Sequence, residues 1–360
     1  MLAGLLALPA HALARAAWPA DDGAPSYADD ATVGGPPALL VGGSADTGPA
    51  QLAGVLAQPL ARSLGTAGTL GIRQDAGQDG VTAANQFDTS TEAEVASALL
   101  IPGAALIAAL TGDQRVHFDY SRWVSVMVAQ TPVVTITRNE LHRTLRARIA
   151  GAFHDHPVRI GVSRATGVEL ASVLGLSLLG LHSVPVQGFA EPAQAIAALN
   201  DGTVDAIQLS PDPGEDLRGL IGRLPTGSAP LFSFGAGNAS TVAPGFAETY
   251  MAQRQRTPGG PLYQAWCAVA AGAAIDSALV LPMLTPPTTV ARWRRAAVLA
   301  TEDNRVRDWT AHAQLTLNAG DNSAAALAAL TPNLTAVLAL RRWLALNEPR
   351  WRMRQETRPI

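Results

Sequence analysis

Two short segments of this chain place small residues, hydroxyls and a single charge where the hydropathy pattern sets the start of a helix. The first is Gly42, Gly43, Ser44, Ala45, Asp46 and Thr47; the second is Ser163, Arg164, Ala165, Thr166 and Gly167. The first turn of a helix leaves backbone N–H groups without internal partners and carries partial positive charge, so such loops can gather several donors around a carboxylate. Ser163 and Thr166 add hydroxyls, and the Arg164 guanidinium can grip a carboxylate with two parallel bonds. Thr166 and Glu169 also match the T-x-x-E capping box, which would start the next helix at this loop. The same features serve many α/β proteins for structural reasons alone. Asp46 complicates the first loop. It repels a purely anionic ligand, yet beside an amino acid it would pair with the ammonium while the second loop takes the carboxylate; as a solvated or capping carboxylate it would do neither.

Other chemistries find less in the sequence. Ser163, Ser177 and Ser233 stand outside any G-x-S-x-G elbow, so a hydrolase reading has no positioned nucleophile. There is no Walker loop, and GAGNAS from Gly235 lacks the third glycine of a dinucleotide fingerprint. His154 and His156 flank Asp155 without the partner cluster that a metal centre needs. No cofactor or metal is expected. The single cysteine, Cys267, cannot form an internal disulfide and says nothing of the redox compartment. All 26 basic residues are Arg and the net charge is -3, which argues against a nucleic-acid surface.

The elements that must position these loops are legible as alternation. ALLVGG is an apolar run ending in glycines, followed by a helix with Leu52, Val55, Leu56, Leu60 and Leu64 on one face and Gly65 at its end. GTLGIR, WVSVMVAQ and PVVTITR read as further strands, the last two meeting at Pro132. VRIGVS leads into the second loop and a helix with Leu170, Val173 and Leu174. HSVPVQG, a helix opened by Pro192 and closed by Gly202, and the strand TVDAIQLS complete a second strand–loop–helix unit. Asp205, near the start of that strand, reads as structural. Two later helices, introduced by Pro286, Pro287 and Thr301, bring Trp293 and Trp309 to apolar faces. The apolar stretch from Ala268 is interrupted by Asp276 and is too short to span a bilayer, so it reads as buried core.

With 360 residues, 48% apolar and 15% charged, the chain is long enough for two lobes and rich enough to bury their cores. Residues 1–18 combine an apolar stretch with small residues that fit A-x-A cleavage and lack a basic n-region, which predicts export through a signal peptide. Residues 19–37 are rich in Pro, Gly and Asp and read as a linker. The first lobe is placed at 38–138 plus 233–345, the second at 139–232, and a basic tail at 346–360. Two crossings between lobes would make a hinge.

Three stretches carry a family resemblance. VPVQGFAEPAQAIAALNDGTVDAIQLS from Val184 is similar to the V-P-Y-x-G, helix, L-x-G-x-V-D pattern of the Bug family of extracytoplasmic solute receptors. ARSLGTAGTLGIRQDAGQDG from Ala61 resembles that family's L-G-x-x-V-x-V-E-N-R-P-G-A-G-G, with Leu64, Gly65, Arg73, Ala76 and Gly77 in place. LPMLTPPTTVARWRRAAVLATEDNRVRDWTAHAQLTLNAG resembles its ending. The first loop departs from the family's P-F-x-P-G-G, and Ser163 to Glu169 replace a Gly- and Ser-rich run that ends in His. The resemblance implies a two-lobed α/β fold of the type II periplasmic-binding (Venus flytrap) kind, with a mainly parallel sheet flanked by helices in each lobe. It implies a periplasmic monomer that captures a small carboxylate, such as a di- or tricarboxylate, an amino acid or an aromatic acid. The resemblance also implies that the ligand lies between two such loops, with Gln208 and Ser210 at the strand end that would face it. Membrane subunits of a tripartite tricarboxylate transporter, or a sensor, would be the partner. Alternatives are an enzyme on the same fold, reacting through Asp46, Arg73 or Arg164, and a degenerate member acting as a sensor or interaction protein.

Overall fold

The computed structural model describes residues 37–75, 77, 79–89, 97–139, 141, 157–211, 215–236 and 242–356, the last four by backbone alone. The expected signal peptide, residues 19–36 of the linker and His154–His156 lie outside the described residues.

Strands β1 (Ala38–Gly42), β2 (Gly71–Asp75), β3 (Ala98–Ile101), β4 (Val124–Gln130), β10 (Ile275–Leu281) and β11 (Thr316–Ala319) form one sheet, ordered β11-β4-β10-β3-β1-β2. Strands β5 (Pro132–Arg138), β6 (Val158–Val162), β7 (Ser183–Gln187), β8 (Ala206–Leu209) and β9 (Ser228–Gly235) form the other, ordered β7-β6-β8-β5-β9. Each sheet has a parallel trio, β2-β1-β3 and β7-β6-β8, extended by antiparallel strands. The sheets are therefore mixed, not mainly parallel.

The strand that the sequence assigned to the first lobe, β5, pairs in the second sheet, as does β9 up to Gly235. The chain thus crosses at Thr131 and returns after Gly235. WVSVMVAQ and PVVTITR are both apolar, and nothing local assigns either to a sheet; Pro132, without an N–H, sits at the first residue of β5, where a ladder bond is least missed. The crossings touch: Thr131 N donates to Ala274 O at 2.8 Å, and a side chain on Gly235 (φ +92°) would strike Thr131 O.

Among the described residues the helices include α1 (Gly48–Leu64), α2 (Val81–Thr89), α3 (Gly103–Thr111), α4 (Leu170–Leu178), α5 (Pro192–Asp201), α6 (Leu217–Gly222), α7 (Phe246–Arg254), α8 (Pro261–Ala273), α9 (Pro287–Thr301), α10 (Asn304–His312), α11 (Asp321–Ala328) and α12 (Leu334–Glu356). Leu52, Val55, Leu56, Leu60 and Leu64 of α1 are all buried, and α1 packs on α9, where Trp293 is 1% exposed. Thr301 closes α9 instead of opening α10, whose N-cap is Asp303 accepting from Arg305 N. The helix α12 carries the sequence beyond 346 in regular structure, and Trp351 is buried there.

The lobes share a core. One continuous apolar cluster runs from Leu106 and Ile107 of α3 through Ala268 and Val269 of α8 to Leu170 and Leu174 of α4. Trp266 of α8 stacks on Phe246 and donates its indole N–H to Ala171 O, 2.9 Å away in α4. Trp343 of α12 donates to Ser177 Oγ at 3.3 Å, at the other end of α4.

Candidate functional site

After β6 the chain turns through Ser163–Glu169 and α4 begins at Leu170. The capping box does not form. Glu169 holds helical dihedrals (φ -71°, ψ -9°), and its carboxylate accepts from Ser163 Oγ at 2.9 Å instead of reaching back to Thr166 N–H. A methyl group at Gly167 would stand 3.0 Å from Glu169 Oε2, so glycine lets the carboxylate fold into its own loop. Burial pushes the Glu169 carboxyl above its ordinary range, although Ser163 bonds to the charged form. Behind the turn, Gln208 donates to Val168 O at 3.2 Å and accepts from Ser172 Oγ at 2.7 Å, while Ser172 lies 2.7 Å from Thr135 Oγ1. The Gln208 amide thus supports the loop from within. Ser210 follows the end of β8 and is half-buried.

In the first lobe, Gly43 (φ +123°) turns the chain from β1 toward α1, and its N–H reaches Asp75 O at 3.3 Å. A side chain there would meet Thr47 Oγ1, which donates to Ser44 O at 2.7 Å. Gly42 packs against Gly80, where a side chain would meet Pro102. Ser44, Ala45 and Asp46 are exposed, and the Ser44 hydroxyl holds the Asp46 carboxyl below its ordinary range. Asp276, at the start of β10, is packed against Gly48, the first residue of α1; any side chain at Gly48 would collide with its carboxylate. Burial pushes Asp276 up, and its hydrogen-bonding neighbour is the Ser277 hydroxyl at 2.5 Å.

Arg164 bridges the lobes. Its guanidinium donates to Asp79 Oδ2 at 2.5 Å and lies 3.5 Å from Asp113 Oδ2, both in the first lobe. Arg115 pairs with the same two carboxylates at 2.6 and 2.7 Å. Hydrogen bonds from Arg115 hold Asp113 down at about 2 despite its burial; for Asp79, burial raises the carboxyl, but the bonds from Arg115 and Arg164 outweigh it. Alongside this network lies a groove of about 590 Å³. Its walls are Thr111–Arg115 of the first lobe, Arg164–Thr166 and Gln187 of the second, and Glu348, Trp351 and Arg352 of α12.

Of the residues expected to bind a ligand, Arg164, Ala165 and Thr166 line this groove, whereas Gly42 to Thr47 lie outside its walls. The first loop joins the second through Gly80, whose neighbour Asp79 holds Arg164. Ser163 and Gln208 stand behind the second loop, bonded within the protein. Asp205 holds Arg159 through two bonds of 2.9 and 2.7 Å, the structural role expected of it. Arg73, Asp46 and Arg164 occupy separate settings: an exposed position on the edge strand β2, the first loop, and the bridge. Sequence reasoning missed Asp79, Asp113, Arg115 and the α12 wall. Asp79 precedes a helix and Asp113 follows one, positions that read as caps, and nothing in the linear sequence pairs either with Arg164.

No family model matches the sequence, and no curated protein matches it. Solved structures do. The chain is similar to MatC from Rhodopseudomonas palustris with bound malate, at 17% identity and a TM-score of 0.55, covering 86% of this chain and 97% of that one. It is similar to a TctC solute binding protein from Polaromonas at 15% identity and a TM-score of 0.57, covering 82% and 98%. It is also similar to the periplasmic binding protein BugD, at 14% identity and 0.54, covering 86% and 97%. The fold is that of a two-lobed periplasmic binding protein. At these identities the likeness extends to the fold, and the loops that differ decide what the chain holds.

Proposed function

We propose that the protein is an exported, periplasmic solute-binding protein that captures a small carboxylate-bearing metabolite between its lobes and performs no chemistry on it. A di- or tricarboxylate, an amino acid or an aromatic acid fits this reading, and membrane subunits of a tripartite tricarboxylate-type transporter, or a sensor, would receive the loaded form. The protein acts as a monomer. The observation that carries the reading is the groove of about 590 Å³ where Arg164, Ala165 and Thr166 of one lobe meet Thr111–Arg115 of the other. Three guanidiniums stand on its walls, Arg115, Arg164 and Arg352, each already paired with an aspartate or glutamate, so a carboxylate ligand would compete with Asp113 or Glu348 for them; MatC, which shares the fold, holds malate. No helix among the described residues is long and apolar enough to cross a membrane.

The sensor or interaction role is the second reading. It is favoured by Arg164, which already ties the lobes together through Asp79 and Asp113. A thermal-shift screen against carboxylates, amino acids and aromatic acids separates the two. A ligand at a hundred times its Kd stabilises the folded form by about 2.7 kcal/mol. A rise in Tm with one solute class, lost in Arg164→Ala, supports solute capture; an unmoved Tm across all three classes refutes it.

A further inference from the structure

The groove between the lobes is lined by charge, yet its charges cancel. Each guanidinium on its walls has a carboxylate partner: Arg115 holds Asp79 and Asp113 at 2.6 and 2.7 Å, Arg164 reaches the same two from the other lobe, and Arg352 lies 3.4 Å from Glu348. Hydrogen bonds from Arg115 hold Asp113 at about 2, so it stays ionised at neutral pH and does not take up a proton to make room for another anion. A solute with two negative charges would displace these carboxylates or sit beside them, and would leave negative charge without a partner where water is partly excluded. A solute with one charge of each sign keeps the balance, because its anion takes over a guanidinium while its cation takes over the carboxylate released. The contact between Arg164 Nη2 and Asp113 Oδ2 is set for that exchange. At 3.5 Å it is the longest of the four in the network, and both side chains line the groove, one from each lobe. When the two part, Arg164 keeps Asp79 and Asp113 keeps Arg115. A second observation lies on the α12 wall. Trp351 is 2% exposed, and its indole N–H finds no acceptor among the described residues, whereas Trp123, Trp266 and Trp343 donate theirs to Asp88, Ala171 O and Ser177 Oγ. A buried donor without an acceptor has lost its hydration for nothing, and a solute oxygen seated against this wall would satisfy it.

Resting on the solute-capture reading, we infer that the groove takes a zwitterion of no net charge, a neutral α-amino acid or a close analogue, and not a di- or tricarboxylate. Its carboxylate sits on Arg164 and accepts the Trp351 N–H, and its ammonium sits on Asp113, so that the bound solute completes the bridge between the lobes. The ammonium thus falls to Asp113 in place of Asp46, which is exposed and lies outside the groove's walls.

Thermal shift at equal ionic strength, with the neutral α-amino acids on one side and malate, succinate, adipate and citrate on the other, tests the inference. At least one amino acid should raise the Tm of the wild type, and calorimetry should give it a Kd about tenfold tighter than that of any of the four acids. Asp113→Asn removes one carboxylate and leaves a guanidinium in excess, so there the amino acid should weaken about tenfold while malate gains; a merely structural loss weakens both alike. Should Asp113→Asn fail to fold, the gain in malate is read in Glu348→Gln, which frees Arg352 in the same way. Trp351→Phe keeps a ring and drops the donor, and should weaken the amino acid about two- to tenfold; an unchanged Kd overturns the indole's place in the site. Tighter binding of a dicarboxylate by the wild type, or equal binding of the amino acid by wild type and Asp113→Asn, overturns the zwitterion site and leaves solute capture standing. No shift with any solute of either class refutes solute capture and the site with it.

Discussion

Trp266 is a buried side chain that joins the two lobes, and its removal has a calculable cost. It is 5% exposed, stacks on Phe246 at a centroid distance of 3.9 Å, and donates to Ala171 O at 2.9 Å across the lobe boundary. Truncation of a buried Trp to Ala costs about 3–5 kcal/mol through lost contacts and the cavity left behind. Orphaning a buried carbonyl accounts for about 1–3 kcal/mol of such a loss, which is the part that Trp266→Phe should suffer even where its ring refills most of the space. In a chain of this size each kcal/mol moves Tm by roughly 2 °C, so Trp266→Ala should melt about 6–10 °C lower and Trp266→Phe about 2–6 °C lower. Because the apolar cluster is continuous between lobes, both variants and the wild type should melt in one transition, followed by far-UV circular dichroism and calorimetry. Two separated transitions in the wild type, or a Trp266→Ala protein within about 1 °C of it, would show that the lobes do not stabilise each other through this contact.

Further outcomes follow from the bridge and the glycines. A double-mutant cycle of Arg164→Ala with Asp79→Asn should return a coupling of about 0.5–1 kcal/mol by urea denaturation, shrinking as salt rises, because the Arg164 end is half exposed. Asp113 should titrate at about 2 by carboxyl carbon NMR and move up in Arg115→Ala. Its carboxyl is depressed in the fold, so its contribution to stability is complete above 3.8 and is lost as pH falls from there through about 2. Gly103→Ala should cost about 1–3 kcal/mol, because the added methyl would stand 2.5 Å from Ile275 O and closer still to Gly272 O. Gly54→Ala, in the exposed middle of α1 where the methyl meets nothing within 4 Å, should stabilise by about 0.5–1 kcal/mol. Thermal melts of the two proteins check both signs.

Local pattern made most of the elements readable. The apolar face of α1, the Pro192 start and Gly202 stop of α5, and the strands β4 and β5 all appear where periodicity placed them, because each depends on residues within a few positions of one another. The likeness of the second strand–loop–helix unit to a receptor family held at the level of fold, which short spacing motifs can carry. Local pattern failed where two segments compete for one group. Thr166 and Glu169 have the spacing of a capping box, yet Ser163 lies closer to the carboxylate once the chain turns, and a spacing rule does not see it.

The amino-acid sequence by itself determined two α/β lobes, the places of their strand–loop–helix units and the residues of the second loop, since these follow from hydrophobic period and from Gly and Pro punctuation. Only the tertiary structure decided that β5 and β9 belong to the second sheet, that Arg164 is spent on Asp79 and Asp113, and that α12 walls the groove. The pairs involved are 85, 51 and nearly two hundred residues apart, as between Arg164 and Arg352. Which charge meets which over such separations is set by how the sheets stack and where the chain crosses between them, and neither leaves a periodic trace in the chain.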